Sequence, residues 1–215
     1  MTSTNAWAAL LSALMLAGCA GGDEPRSNVS LATPPAAGAA TAFLVNGDPA
    51  GGFGEAFMGT GGQGFILVAP SDAQPAQALY RINGGVVQRV PAGLSGAVAF
   101  DADSKTTIPV VALVRAQLAG KYSVVIDGAQ NDFQIGADGA ISAADSACKL
   151  AGTVAADDGV AGTLPVSFTL AGCAKSGAYH GYLMSAADYK PSTFRLVVEN
   201  GTSVLDVFAY KVATP

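Results

Sequence analysis

The stretch TLPVSFTL, Thr163–Leu170, alternates along its whole length between large apolar side chains and Thr, Pro or Ser. Its large apolar residues stand at every second position: Leu164, Val166, Phe168 and Leu170. Successive side chains of a β-strand point to opposite faces, so this period predicts a strand with one buried and one solvated face. TFRLVVEN, Thr193–Asn200, has the same alternation. Shorter runs of similar character begin at Phe65, Leu79, Val86, Ala97, Tyr122 and Asp132.

Turn dipeptides separate these runs. Asn-Gly occurs at 83–84 and 200–201, and Asp-Gly at 127–128, 138–139 and 158–159. These pairs tolerate the positive φ angles of tight hairpins, and strands joined by short turns are antiparallel neighbours. The sequence therefore predicts an all-β protein, an antiparallel hairpin meander that forms a barrel or a sandwich.

One segment favours a short helix. PVVALVRAQLAG, Pro109–Gly120, begins with proline and ends with glycine, which is the usual asymmetry of helix ends. A helix near 109–119 would separate an N-terminal β region, 43–107, from a C-terminal β domain, 108–215. The pattern leaves open whether these are two domains or one continuous sheet system.

The composition excludes several classes of protein. Of 215 residues, half are apolar and 13% are charged, so the chain can bury a core and is not a disordered polyelectrolyte. Its 27 glycines and 11 prolines favour many turns. The net charge is −5 and the basic residues are scattered singly, whereas a nucleic-acid binder needs a basic stripe.

The N-terminus has the pattern of a targeting signal. Residues 6–17 hold no charge, a length that suits a signal peptide and is too short to span a bilayer. Leu16-Ala17-Gly18-Cys19 resembles the bacterial lipobox, which implies cleavage before Cys19 and lipidation of that cysteine. Residues 1–18 are then a signal peptide, and residues 19–42 a lipidated cysteine with a flexible tether. The alternatives are an ordinary signal peptide or a buried N-terminal helix.

The lipobox implies an address in the cell envelope. The membrane partner would be reached through the lipid anchor at Cys19, and an envelope protein is a further candidate partner. Ala20 stands where inner-membrane lipoproteins tend to carry Asp, so the resemblance favours the outer membrane. MTSTNAW, Met1–Trp7, lacks the Lys or Arg that usually opens a signal peptide.

The other two cysteines, Cys148 and Cys173, form an even pair in an exported protein. The envelope is oxidising, so we expect a disulfide between them. The turn ADDGV, 156–160, lies between two strand-like runs, so the bond would clamp the open end of one hairpin.

Residues for catalysis, metal binding or cofactor binding are few. His180 is the single histidine, and no Gly-x-Ser-x-Gly motif or Cys-x-x-Cys pair is present. Only Glu55 and Glu199 are glutamates outside the leader and tether. Asp101–Ser104 lacks most positions of a calcium loop. We therefore expect no catalytic, metal-ligating or cofactor-binding residues and a protein that is not an enzyme.

Three late tyrosines allow two interpretations. Tyr179, Tyr182 and Tyr189 could form a surface on which a sugar or peptide stacks, or they could be buried strand aromatics, which is the commoner case.

The C-terminal half resembles a group of uncharacterised proteobacterial envelope lipoproteins. The similar segments are ADGAISAADSACKLAGTV at 137–154, PVSFTLAGC at 165–173 and YHGYLM at 179–184. The group has no established activity, so the resemblance implies a fold and an address. We expect a membrane-anchored bacterial lipoprotein with a non-enzymatic structural, assembly or binding role. The alternative is a lipocalin-like carrier of a small apolar ligand.

Overall fold

A computed structural model of the chain describes residues 29–30, 38–94, 97–144, 146–186 and 189–213. These residues form sixteen β-strands, which confirms the all-β fold class. Eight strands build a sheet: β1 (Val29–Ser30), β2 (Ala40–Asn46), β3 (Phe53–Met58), β4 (Gly64–Ala69), β5 (Ala78–Asn83), β6 (Val86–Val90), β7 (Val98–Phe100) and β8 (Thr106–Ile108). Eight more build a closed barrel: β9 (Gly120–Ile126), β10 (Ala129–Ile135), β11 (Ala140–Ala143), β12 (Lys149–Val154), β13 (Thr163–Ala171), β14 (Gly177–Ser185), β15 (Phe194–Glu199) and β16 (Val204–Lys211).

The C-terminal strands form an antiparallel barrel and not a sandwich. Each strand from β9 to β16 pairs with the next along the chain, and β16 pairs with β9 to close the ring. At the closure Tyr210 lies opposite Ser123, and the Val212 amide donates to the Lys121 carbonyl at 2.9 Å. A closed barrel leaves no unpaired strand edge on which another chain could pair.

The barrel core follows the predicted alternation. On β13 the four large apolar residues are buried, while Ser167 and Thr169 between them are exposed. Aromatic rings fill much of the interior: Tyr122, Phe133, Phe168, Tyr179 and Phe194.

The turn dipeptides lie where hairpins were predicted. Asp127 and Gly128 connect β9 to β10 with φ angles of 51° and 77°, the geometry of a two-residue hairpin loop. Gly84 and Gly85 connect β5 to β6 in the same way, with φ angles of 55° and 83°. Glycine has no Cβ and adopts such angles without strain, and aspartate, as at position 127, is one of the few other residues that tolerate them.

The N-terminal sheet is more complex than a meander. Its strands lie in the order β1-β7-β2-β3-β4-β5-β6, with β8 also against β2, and the β1–β7 pair is parallel. Every residue of β4 is buried, since alternate side chains enter two separate cores. Ile66 and Val68 enter the core of the sheet, and Phe65 and Leu67 enter the contact with the barrel.

A buried ionic network stabilises the sheet. Asp48 accepts hydrogen bonds from Arg89 Nε at 2.9 Å, from Arg89 Nη2 at 2.7 Å, from the Ala50 amide at 2.7 Å and from the Tyr80 hydroxyl. Burial opposes ionisation, but the hydrogen bonds from Arg89, Tyr80 and Ala50 outweigh it and hold the pKa of Asp48 below its usual value. Each carboxylate oxygen is paired, so we assign this network a structural role.

The predicted helix is reduced to one turn. Pro109–Gly120 contains a 3-10 turn at Arg115–Leu118, and the residues before that turn have no regular structure. Val110, Val111 and Val114 are 40%, 51% and 51% exposed, so the apolar face of a helix would have no surface to pack against. Without such packing, valine's restricted χ1 makes this a poor helical sequence.

The predicted disulfide is present. Cys148 and Cys173 are bonded, with Cα atoms 5.1 Å apart, just beyond the last β12–β13 register pair, Lys149 and Ala171. The bond closes the open end of that hairpin as predicted. The Cys148 amide also donates to Asn131 Oδ1 at 2.9 Å, which ties the hairpin to β10.

Candidate ligand site at the seam between sheet and barrel

One face of the sheet packs on the outer wall of the barrel, and we call this contact the seam. Its apolar core draws on both sides: Ala40, Phe57, Phe65, Leu67, Ala76, Leu79, Val160, Met184 and Val197. The Phe65 ring stacks on the Tyr182 ring with centroids 4.3 Å apart. Such apolar and aromatic burial holds the two β units together and fixes which polar side chains meet around it.

One polar cluster of the seam surrounds Arg195 on β15. Its Nε and Nη2 donate to the two oxygens of Asp206 at 2.8 and 2.7 Å, and its Nη1 donates to Glu55 Oε2 on the sheet at 2.6 Å. Burial lowers the pKa of Arg195, but the bonds to Asp206 and Glu55 outweigh it and raise that pKa. All three nitrogens are used, so this cluster is a structural clamp.

A second polar cluster joins Arg81, His180 and Glu199. His180 on β14 and Glu199 on β15 are directly opposite in register, so their side chains share the outer face of the barrel. Arg81 reaches them from β5 of the sheet, with Nη1 3.1 Å from Glu199 Oε1 and 2.5 Å from His180 Nε2. His180 Nε2 is itself 2.6 Å from Glu199 Oε1.

These three groups cannot all be satisfied at once. A protonated Nε2 of His180 faces an N–H of Arg81, whereas an unprotonated Nε2 accepts from Arg81 but lies 2.6 Å from the Glu199 carboxylate. Glu199 Oε1 lies within ion-pair distance of both nitrogens, yet neither N–H points at it with hydrogen-bond geometry, and Arg81 Nε is buried without a partner. This cluster therefore retains hydrogen-bonding capacity that the Arg195 cluster has used up.

A cleft of about 190 Å³ opens beside this cluster. Its lining is mainly apolar: Leu79, Pro165, Val166, Gly181 and Tyr182, with Arg81, Ser167, His180 and Glu199 as the polar members. An apolar cavity with a few convergent polar groups is the usual form of a small-molecule site. A Cβ at Gly181 would lie 2.2 Å from the Val197 carbonyl oxygen, so this part of the wall requires glycine.

The Tyr182 hydroxyl remains protonated next to the cleft. Burial raises the pKa of Tyr182 to about 12, the Asp158 carboxylate adds to that rise, and the charge of Arg81 opposes it. At neutral pH the tyrosine presents an aromatic face and a neutral hydroxyl.

Ser167 completes a row of polar residues across three strands. It lies opposite His180 in the β13–β14 register, as His180 lies opposite Glu199. A serine, a histidine and an acid are the residue types of a hydrolase triad. That mechanism requires a hydrogen bond between nucleophile and base, and Ser167 Oγ makes none within the described residues. The row is therefore not assembled as a triad here.

The structure separates the other sequence candidates. Tyr179 lies inside the barrel, Tyr182 stacks within the seam, and Tyr189 is 45% exposed against Phe208 with ring centroids 4.6 Å apart. The three tyrosines thus form no common stacking surface. Cys19 lies outside the described residues.

The interior of the barrel offers little room. Buried side chains from all eight strands pack there, including the five rings named above. The lipocalin-like alternative places its ligand in the barrel mouth, whereas the described cleft lies outside the barrel wall. The β-barrel fold is nonetheless compatible with a binding role.

The described residues contain neither a metal-binding cluster nor a membrane-spanning helix. No group of three or more His, Cys, Asp and Glu side chains is arranged to hold a metal ion. No helix within the described ranges is long and apolar enough to cross a bilayer.

Sequence reasoning identified His180 but missed its partners. Ser167 and Glu199 each occupy an outward position in an alternating run, a pattern that shows which face of its own strand each residue lies on. It does not show that they are adjacent, since adjacency depends on the register of two hairpins. Arg81 is about a hundred residues away, and no sequence signal connects it with the barrel.

Comparisons with protein-family models, with curated proteins and with solved structures found no match to this chain.

Proposed function

We propose that this protein is a lipid-anchored bacterial envelope protein with a non-enzymatic binding role, and that its ligand occupies the seam cleft. The observation that carries the binding role is the cleft itself. Apolar walls meet there with Arg81, His180 and Glu199, and two buried atoms of this cluster, Arg81 Nε and Glu199 Oε1, have no hydrogen-bond partner within the described residues. Buried polar groups are costly when left unpaired, so a ligand that pairs them gains affinity.

The lipid anchor and the envelope location are supported by the sequence. The lipobox-like Leu16–Cys19 supports lipidation of Cys19, and Ala20 supports the outer membrane over the inner membrane. The Cys148–Cys173 disulfide agrees with an oxidising compartment. A tether at 19–42 would hold the folded part away from the lipid headgroups.

The non-enzymatic part of the proposal rests on the same cleft. His180 is engaged with Glu199 and Arg81, and the nearby Ser167 hydroxyl makes no hydrogen bond within the described residues. A nucleophile without a base in contact is a weak one.

The test is a small-molecule screen with two matched variants. Ser167→Trp places a ring in the cleft from an exposed position, and Thr169→Trp places the same ring two residues along the same strand face, away from the cleft. We expect saturation-transfer NMR of small anions, cations and neutral molecules to give hits on the wild type and on Thr169→Trp that Ser167→Trp loses. Hits that Ser167→Trp retains, or no hits on the wild type, would overturn the binding site.

A further inference from the structure

A second cleft, of about 160 Å³, lies between the loop before β5 and the outer face of the barrel, and we call it the tyrosine cleft. Its walls are the loop 72–75 on one side and Tyr189 and Phe208 on the other, and the ion pair of Arg195 and Asp206 also lines it. It shares no lining residue with the seam cleft. It is therefore a separate site, and the function proposed above does not use it.

Tyr189 presents an aromatic ring that is exposed and yet held in place. The residue is 45% exposed, its hydroxyl donates to the Asp72 carbonyl at 2.8 Å, and its ring packs on Phe208 with centroids 4.6 Å apart. Its backbone amide donates to the Ala186 carbonyl at 2.9 Å. A ring fixed in this way offers a flat apolar surface, and little side-chain entropy is lost when a ligand covers it.

The loop opposite Tyr189 carries polar groups that have no partner within the described residues. Asp72 and Gln74 are both exposed. The Asp72 carboxylate and Gln74 Nε2 make no hydrogen bond there, whereas Gln74 Oε1 accepts from the Ser71 hydroxyl at 3.4 Å. The Gln74 amide to the Ser71 carbonyl bond, at 3.3 Å, closes the loop as a turn and fixes both side chains at one wall.

These groups match the chemistry of a sugar ring. A pyranose has an apolar face of C–H groups, which packs on an aromatic ring, and hydroxyl groups around its edge that both donate and accept hydrogen bonds. A carboxylate accepts and an amide donates and accepts, so Asp72 and Gln74 suit such hydroxyls. The volume of 160 Å³ equals about five water molecules at roughly 30 Å³ each, which suits one small ring.

The charges around the tyrosine cleft disfavour an acidic ligand. Arg195 is paired with both Asp206 and Glu55, so this cluster carries one net negative charge. Asp72 on the loop and Lys190 before β15 add one charge of each sign. The net charge of these groups is therefore negative, and a carboxylated sugar should bind more weakly than an uncharged one.

A simple cation is also disfavoured. The guanidinium carbon of Arg195 lies 6.0 Å from the centroid of the Phe208 ring, so this ring already faces a cation. The same guanidinium lines the cleft and would repel a second cation. The arrangement therefore favours a ligand without charge.

We infer that the tyrosine cleft binds a single uncharged pyranose unit, with the C–H face of the sugar on the Tyr189 ring and its hydroxyls on Asp72 and Gln74. This is a second ligand site on the protein, and it goes beyond the function proposed for the seam cleft.

Saturation-transfer NMR on the full folded chain tests the ligand class. The probes are the methyl glycosides of glucose, galactose, mannose and N-acetylglucosamine. We expect at least one to bind, with the strongest saturation at the C–H protons of one ring face. The corresponding uronic acid should bind about threefold more weakly. Tetramethylammonium should not displace the sugar, and displacement by this ion would identify a cation site and overturn the inference.

Matched variants test the residues. Tyr189→Ala should weaken binding of the sugar at least about fivefold. Tyr210→Ala should not, because Tyr210 is a similarly exposed tyrosine on the same outward face of β16 as Phe208 and lines neither cleft.

A second pair tests the polar wall. Asp72→Ala should weaken binding of the sugar at least about fivefold, whereas Asp103→Ala, on the exposed loop before β8, should leave it unchanged. Far-UV circular dichroism checks folding. If Tyr189→Ala does not fold, Asp72→Ala decides, since the Asp72 carboxylate has no hydrogen bond within the described residues to lose.

Two results would overturn the inference: no binding of any of the four glycosides to the wild type, or binding that Tyr189→Ala and Asp72→Ala both retain. The screen for the seam cleft is run without sugars, and the two clefts share no lining residue. A failure of one proposal is therefore distinguishable from a failure of the other.

Discussion

Arg195 on the barrel and Glu55 on the sheet form an ion pair across the seam, with Nη1 and Oε2 2.6 Å apart. The same guanidinium holds Asp206 through two further hydrogen bonds, and Asp206 Oδ2 also accepts from the Ala76 amide at 2.6 Å. One arginine thus links a sheet strand, two barrel strands and the loop before β5. The relative position of sheet and barrel, and with it the shape of the cleft, depends on this clamp.

Removing the Arg195 side chain should lower the free energy of unfolding. Arg195→Met leaves the Asp206 carboxylate, 1% exposed, without a counter-charge, so we expect the free energy of unfolding to fall by about 3–5 kcal/mol. Urea unfolding followed by circular dichroism measures this. Arg115→Met, the matched control, should change it by less than about 0.5 kcal/mol. Similar losses in the two variants would show that Arg195 has no special structural role.

The disulfide should stabilise the folded protein by restricting the conformations of the unfolded chain. It closes a loop of 25 residues, so replacing both Cys148 and Cys173 by alanine should lower the free energy of unfolding by about 3–4 kcal/mol. The comparison is urea unfolding of the oxidised wild type, the reduced wild type and the double variant. The last two should be destabilised together, and a double variant as stable as the oxidised protein would contradict the account.

Lowering the pH should remove the contribution of Asp48 to the free energy of unfolding. Its folded pKa is lower than its unfolded value, so the contribution is complete above the unfolded pKa of about 4 and is lost as the pH falls through the folded value. At neutral pH Asp48→Asn should be the less stable protein, since Arg89 then lacks its partner. The difference in Tm between wild type and variant should shrink as the pH falls from about 5 to about 2. A constant difference would mean that Asp48 is not ionised in the folded protein.

The polar row on the barrel should not hydrolyse esters. Because Ser167 Oγ is not hydrogen-bonded to His180, we expect the wild type to release p-nitrophenol from p-nitrophenyl hexanoate at the rate of the His180→Ala and Ser167→Ala variants. A rate well above both variants would instead identify a serine hydrolase and would end the non-enzymatic proposal.

Local patterns predicted the local features of the fold. The alternation in Thr163–Leu170 places its apolar residues in the barrel core, and Asp127-Gly128 makes the turn it predicts. The disulfide was predicted because two cysteines remain besides Cys19 and because the expected compartment is oxidising. The helix prediction was wrong because Pro109 and Gly120 indicate only where a helix could begin and end. The exposed side chains of Val110 and Val111 have no surface against which a helix could pack.

The seam could not be predicted, because it depends on contacts between distant segments. Phe65 and Leu67 look like ordinary strand residues, and only the structure shows that their face of β4 meets the barrel. Likewise Arg81 and Glu199 become a site only when a sheet strand is laid against β14 and β15. Alternation assigns each residue to a face, but no pattern within one strand says what covers that face.

The central claim, an envelope lipoprotein anchored through Cys19, is tested most directly by mass analysis of the protein extracted from bacterial membranes in detergent without reduction. The account predicts an N-terminal peptide that begins at a diacylated or triacylated Cys19, together with a linked Cys148–Cys173 peptide pair. An unmodified N-terminal peptide that retains residues 1–18, or a soluble protein with free thiols, would contradict it.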